Sequence, residues 1–293
     1  MKCGFVSIVG RPNAGKSTLL NSILGLKLAI TSDVSGTTRD VIQGIYNDSD
    51  SQIIFVDTPG IHKPVHKLDS IMNKRSYDNI EGVDVILFLV DASSKFGKGD
   101  EFVLNRIKDS NTPVFLILNK VDKVKDKTKL LHDISELSKK YNFSEIIPLS
   151  ALKNKLNDLI ETIKKYLPQM DKIYSDEDLT NVTTRFIVGE FVREKVLELT
   201  HDEIPHTVTC LTEDYKEDED KIYIRVLIIV DRENIKKIII GKQGKMLKQI
   251  GTYARKDIEA FLGKKVFLDT VVKVVDNWRD KQNILSEFGF NDE

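Results

Sequence analysis

The sequence predicts an α/β domain, a mostly parallel sheet with helices on both faces, followed by a smaller α+β domain. Three observations lead there. Apolar runs rich in Val, Ile and Leu, at 83–90 and 114–118, alternate with helical patterns through residues 1–168. Such continuous runs suit strands covered on both faces, as in a parallel sheet. Residues 169–181 are polar and acid-rich and read as a linker, and beyond them the order becomes α-β-β-α-α-β over 182–293, ending in a C-terminal tail. A length of 293 residues also suggests two domains.

The elements follow in order. Residues 5–9 form a short apolar strand that runs into a glycine turn, and 17–28 read as a helix with Leu19, Leu20, Ile23 and Leu24 on one face. The polar stretch 30–39 reads as a loop. Strands at 41–46 and 52–56 are joined by the turn Asn47-Asp48-Ser49-Asp50. Helices are expected at 68–80, 100–108, 130–141 and 157–166, and a short strand at 146–149. In the second part, helices are expected at 185–200, 234–240 and 245–262, strands at 206–211, 223–230 and 265–275, and an acidic turn at 216–220.

Composition narrows the function. Hydrophobic residues are 41% and charged residues 30%, so a packed core is expected and wholesale disorder is not. The net charge of -1 means that attraction to nucleic acid has to come from local patches. The longest apolar runs fall well short of the roughly 20 residues of a membrane span. Cys3 and Cys210 are far apart and match no metal-ligand spacing, so both are expected to be buried free thiols. The N-terminus shows no leader pattern, and a cytoplasmic protein is expected.

Gly10-Arg11-Pro12-Asn13-Ala14-Gly15-Lys16-Ser17, with Thr18 following, fits GxxxxGK[ST] between a predicted strand and a predicted helix. Backbone N–H groups there can wrap phosphates, and the helix N-terminus adds donors and partial positive charge. Lys16 is the candidate for the β- and γ-phosphates and Ser17 for a Mg²⁺ ion. Asn119-Lys120-Val121-Asp122 selects the base: the Asp122 carboxylate can accept both N1–H and N2–H of guanine, whereas adenine would leave it badly paired. Asp57-Thr58-Pro59-Gly60, with Ile61 next, supplies a carboxylate for the metal shell and a Gly60 N–H for the γ-phosphate. In Thr37-Thr38-Arg39 a hydroxyl, Thr38 in preference to Thr37, can complete the metal shell only with the triphosphate; Arg39 could act on the γ-phosphate but reads rather as a solvated loop charge. Ser150-Ala151-Leu152 closes the set with a backbone N–H for guanine O6. GTP and GDP are the expected ligands.

Gly241-Lys242-Gln243-Gly244 lies between two predicted helices, after the apolar run ending at Ile240. This is the setting of a KH-domain GxxG loop, which brings backbone against about four nucleotides of single-stranded nucleic acid. Lys242, Lys245 and Lys248, with Lys236 and Lys237, make the surroundings basic. A solvated lysine face or a KH fold turned to protein contact are the competing readings. Arg255 and Lys256 extend the basic surface or pair with acids, and Trp278 reads as packing.

Together the wording GRPNAGKST, GTTRD, DTPGI, NKVD and SALK resembles the Era and TrmE branch of translation-factor-like GTPases. The segments RFIVGEFVREKVLELTHDEIPHTVTC and IIIGKQGKMLKQIGTYARKD resemble the Era family, over nearly the whole chain. The resemblance implies a P-loop G domain followed by a type II KH domain. It implies a GTPase that binds small-subunit ribosomal RNA near its 3′ end, aids maturation of the small ribosomal subunit and associates peripherally with the cytoplasmic membrane face. It also implies a second cation. Ile61 stands where Ras-type GTPases carry the water-orienting glutamine, and Asn13 matches the TrmE-branch residue that helps hold K⁺. Asn13, Lys16, Thr38 and Gly60 are thus the candidate catalytic residues. A monomer is expected. The alternative reading is a membrane-associated regulatory GTPase whose C-terminal domain recruits proteins.

Overall fold

The computed structural model describes residues 1–34, 36–153 and 156–290. It divides into two compact units. The first holds Met1–Ala29, Thr38–Pro64 and Met72–Asn181; the second holds Ile30–Thr37, Val65–Ile71 and Val182 onward.

In the first unit the chain runs β1 (Lys2–Gly10), α1 (Lys16–Leu24), β2 (Ile42–Asn47), β3 (Ser51–Asp57), α2 (Lys67–Asp78), β4 (Val85–Asp91), α3 (Lys98–Ile107), β5 (Val114–Asn119), α4 (Lys127–Lys140), β6 (Glu145–Pro148) and α5 (Asn157–Lys164); the first turn of α2 groups with the second unit. The sheet order is β2-β3-β1-β4-β5-β6, parallel except for the antiparallel β2–β3 hairpin. Every residue of β3, β4 and β5 is buried, which explains their unbroken apolar spelling. Phe88 and Phe115 are fully inaccessible, and truncating either to alanine would cost about 3–5 kcal/mol. The order reverses about β1, whose neighbours are β3 and β4. The carboxyl ends of β1, β3, β4 and β5 (Gly10, Asp57, Asp91 and Asn119) therefore share one edge, where doubly wound sheets bind ligands.

One expected bound differs. Helix α1 stops at Leu24, not residue 28, because Gly25 takes a left-handed conformation (φ 68°). The buried stretch after it is tied down by Asn21, whose Oδ1 accepts from the N–H groups of Leu28 and Ala29, both at 2.9 Å. The acid-rich 169–181 runs along the first unit. Buried Gln52 requires partners, and its Oε1 accepts from Ile173 and Tyr174 N–H at 2.8 and 2.9 Å. Further on, Ile45 N–H donates to the Leu179 carbonyl at 3.0 Å, so this stretch covers the open edge of β2.

The second unit follows the expected α-β-β-α-α-β order: α6 (Thr184–Leu199), β7 (Thr209–Glu217), β8 (Lys221–Val230), α7 (Glu233–Ile240), α8 (Lys245–Leu262) and β9 (Lys265–Val274). Strand β8 is central, antiparallel to β7 and parallel to β9. Strand β7 begins later than expected because Pro205 opens a short 3₁₀ turn. It also runs further, through TEDYKE, because a half-exposed edge strand tolerates charge. A short helix, α9 (Gln282–Glu287), was not anticipated. Trp278 packs as expected, fully buried against Phe288 and Phe290, with its Nε1–H donating to Thr207 O at 2.9 Å. Both cysteines are buried and free. No helix among the described residues is long and apolar enough to cross a membrane.

Candidate nucleotide and nucleic-acid sites

The turn between β1 and α1 is built on left-handed backbone: Asn13 has φ 63° and Gly15 φ 98°. A Cβ on Gly15 would lie 2.3 Å from Asn119 Nδ2, so only glycine fits there. Lys16 folds back over the turn, its Nζ 3.2 Å from Gly10 O and 3.3 Å from Arg11 O. Burial pulls its pKa down to about 8, against the attraction of Asp57.

Three oxygen groups converge beside it. Ser17 Oγ donates to Asp57 Oδ2 at 2.6 Å and lies 2.8 Å from Thr38 Oγ1. Asp57 is fully buried, its Oδ1 has no hydrogen-bond partner, and burial raises its pKa to about 6 in spite of Lys16 and Ser17. Two hydroxyls and an orphaned buried carboxylate oxygen form a hard-oxygen set that fits Mg²⁺. Among the described residues no group of three or more His, Cys, Asp or Glu offers another metal site. Thr37 is excluded from this set, because its hydroxyl donates to Val34 O at 2.6 Å.

At the base end, Asn119 stitches three segments together. Its Nδ2 donates to Ala14 O at 2.8 Å, and its Oδ1 accepts from Lys120 N–H at 2.8 Å and Ala151 N–H at 3.0 Å. Lys120 reaches the Asn13 carbonyl at 2.7 Å and Asp91 at 2.9 Å. The Asp122 carboxyl is held below its usual range by the Ser150 hydroxyl and by Lys153, 3.6 Å away, and so is an ionised acceptor at neutral pH. Val121 takes the backbone bond to Leu149 O at 3.3 Å.

Several residues read from the motifs serve the scaffold with their side chains. Arg11 does not face the phosphate turn; it pairs with buried Asp100 at 3.0 Å and donates to Ser94 at 2.6 Å. Thr58 donates to Ile8 O at 3.0 Å, and the Pro59 carbonyl accepts from Ser76 at 3.0 Å. Ile61 turns into the core with Val9 and Phe88, leaving only main-chain atoms for a ligand. Leu152 is exposed. The Gly60 carbonyl accepts from His62 Nδ1 at 2.8 Å, which fixes that ring's tautomer. Arg39 is buried, contrary to its reading as a solvated charge. Sequence reasoning missed Asp91 and Asp100, which hold Lys120 and Arg11. For Asp91 a signal existed: an acid closing a parallel strand at its carboxyl end.

In the second unit α7 ends at Ile240, and the turn 241–244 carries three positive φ angles: Gly241 71°, Gln243 54° and Gly244 73°. A Cβ on Gly241 would fall 2.7 Å from that of Met246, whereas Gly244 has nothing within 4 Å. Lys242, Gln243, Lys245 and Lys248 are exposed. Beside the turn lies an open pocket of about 360 Å³ between α8 and β9. It is lined by Gly244, Leu247, Lys248, Gly251, Thr252, Arg255, Leu268 and Thr270, with Lys248 and Arg255 as its basic members.

A P-loop nucleotide-binding unit carrying the guanine-selecting NKVD turn, joined to a KH domain, is the class that fold and sites define. Residues 5–120 match the family described as 50S ribosome-binding GTPase, and residues 203–279 match the KH domain. Two solved structures are each 42% identical to the chain, with 99% of both chains covered and a TM-score of 0.95. One is Aquifex aeolicus Era bound to GDP·AlF4⁻; the other is Era in complex with MgGDPNP and nucleotides 1506–1542 of 16S ribosomal RNA. The chain belongs to the Era family of GTPases.

Proposed function

We propose that this GTPase is a nucleotide-timed RNA-binding assembly factor that engages the 3′ end of small-subunit ribosomal RNA and assists maturation of the small ribosomal subunit. The observation that carries the reading is a complete GxxG turn with an open pocket lined in part by Lys248 and Arg255, on the same chain as a complete guanine-nucleotide site. The Era complex with 16S nucleotides 1506–1542 supports it.

In this reading the P-loop amides and Lys16 bind the phosphates, and Asp122 selects guanine. Ser17, Thr38 and Asp57 would hold Mg²⁺, which supplies charge neutralisation on the β- and γ-phosphates. Thr38 joins that set only when its loop is drawn in, so the loop senses the triphosphate. With Ile61 apolar, no side chain at its position orients the attacking water. Exposed Asn13, on left-handed backbone at the phosphate turn, is the residue to hold a K⁺ ion there. Equal hydrolysis rates in Na⁺ and K⁺ at matched ionic strength would remove that part of the reading. Peripheral residence on the cytoplasmic membrane face, as a monomer, completes the proposal; vesicle co-sedimentation checks it.

The test is binding of a short single-stranded RNA matching the 3′ end of small-subunit ribosomal RNA, against a scrambled strand of equal length. Preference for the matching strand supports the reading. Failure to bind either would shift it to a GTPase whose C-terminal domain recruits proteins.

A further inference from the structure

Helix α6 carries four charged side chains into the interior of the second unit: Glu190, Arg193, Glu194 and Lys195. Buried charges are costly unless closely paired, and a purely structural helix would be as well served by apolar residues. Arg193 is 0% exposed. Its Nε donates to Glu190 Oε1 at 2.7 Å and its Nη2 to Glu190 Oε2 at 2.5 Å, which fixes the guanidinium. Nη2 also donates to the main-chain carbonyl of Thr37. The next residue, Glu194, is 1% exposed; its Oε1 accepts from Thr31 N–H at 2.9 Å, and Lys195 neutralises it at 3.1 Å. Two consecutive side chains of α6 thus grip the main chain near both ends of Ile30–Thr37. Thr38 comes immediately after, and its Oγ1 stands 2.8 Å from Ser17 Oγ. Holding the Thr37 carbonyl restricts the peptide unit it shares with Thr38, because a planar peptide leaves few soft torsions between the two.

We propose that Arg193, supported by Glu194, is a positioning residue for GTP hydrolysis: its grip on the Thr37 carbonyl sets the Thr38 hydroxyl beside Ser17 and Asp57. The proposal rests on the assignment of Thr38 as a triphosphate-dependent metal ligand made above. Coupling of this kind is reciprocal, so a nucleotide that needs Thr38 must tighten the grip that holds it.

The full-length protein is titrated with fluorescent GDP and with a non-hydrolysable GTP analogue, both with Mg²⁺, as wild type, Arg193→Met, Arg193→Lys and Thr38→Ala. Arg193→Met should weaken the analogue about tenfold, the scale of one charge-assisted hydrogen bond, and leave GDP within about twofold. Arg193→Lys keeps the charge and one donor and should recover part of the loss. Hydrogen exchange at the Thr31 amide, which Glu194 holds, should slow with the analogue relative to GDP in the wild type, and Arg193→Lys should shrink that difference, which a merely structural arginine would leave intact. If Arg193→Met does not fold, Arg193→Lys and the wild-type exchange decide. An analogue-to-GDP ratio unchanged in the arginine variants but lost in Thr38→Ala overturns the proposal, as does equal weakening of both nucleotides. If Thr38→Ala itself leaves the ratio unchanged, the metal assignment fails and the proposal falls with it.

Discussion

The nucleotide site and the GxxG groove are built in opposite ways. Around the P-loop nearly every polar side chain is already engaged: Asn119 joins three segments, Lys120 spans Asn13 and Asp91, and Ser17 links Thr38 to Asp57. Two groups there await charge: Asp57, with an orphaned oxygen and a raised pKa, and Lys16, with a lowered one. The groove is an exposed turn of left-handed backbone beside lysines facing solvent. A preorganised site favours chemistry, where charge has to be met without reorganisation. An open one suits a flexible strand recognised through its backbone.

This contrast orders the predictions. The largest effect belongs to Lys16→Ala, which removes the buried cation from the phosphate turn. GTP hydrolysis should fall by about 100-fold or more, read by phosphate release, with RNA affinity in the absence of nucleotide unchanged. Asp122→Asn should lower GTP affinity by at least about 100-fold and favour a base that carries a carbonyl where guanine has its amino group. Competition between GTP and XTP checks this. Gly244→Asp places a negative charge at the open turn and should weaken RNA binding about tenfold or more while GTP affinity stays constant. A parallel loss of nucleotide binding in the absence of RNA would mean that the turn also serves the nucleotide site.

The smallest effect tests the scaffold alone. Burial disfavours the Asp48 charge, yet hydrogen bonds from Lys164, Ser51 and Asp50 hold its carboxyl below the usual range; Lys164 lies 2.7 Å away. A depressed carboxyl contributes stability above its unfolded pKa of about 3.9 and loses it as pH falls through the folded value. Asp48→Asn should therefore cost about 1 kcal/mol at neutral pH, with the gap from wild type closing below about pH 4 in thermal unfolding.

The same contrast explains what the sequence made legible. The candidate nucleotide site follows contiguous motifs, most of them at strand ends, so Lys16, Ser17, Asp57 and Asp122 are legible as candidates from spelling alone. Element order was equally plain, since fully buried strands have no choice but apolar residues. What stayed hidden depends on partners distant in sequence: Asp100 holding Arg11, Gln52 fastening 169–181, and Arg193 holding Thr37. Arg39 misled for a related reason. A motif fixes where the backbone goes, but packing decides which way a side chain turns.

A guanine-nucleotide switch that governs RNA binding must change RNA affinity with nucleotide state. The most direct measurement is the affinity for the 3′-end RNA strand with GTP analogue, with GDP and without nucleotide. Tighter binding with the analogue than with GDP, by about fivefold or more, is expected. Equal affinity in all three states would contradict it.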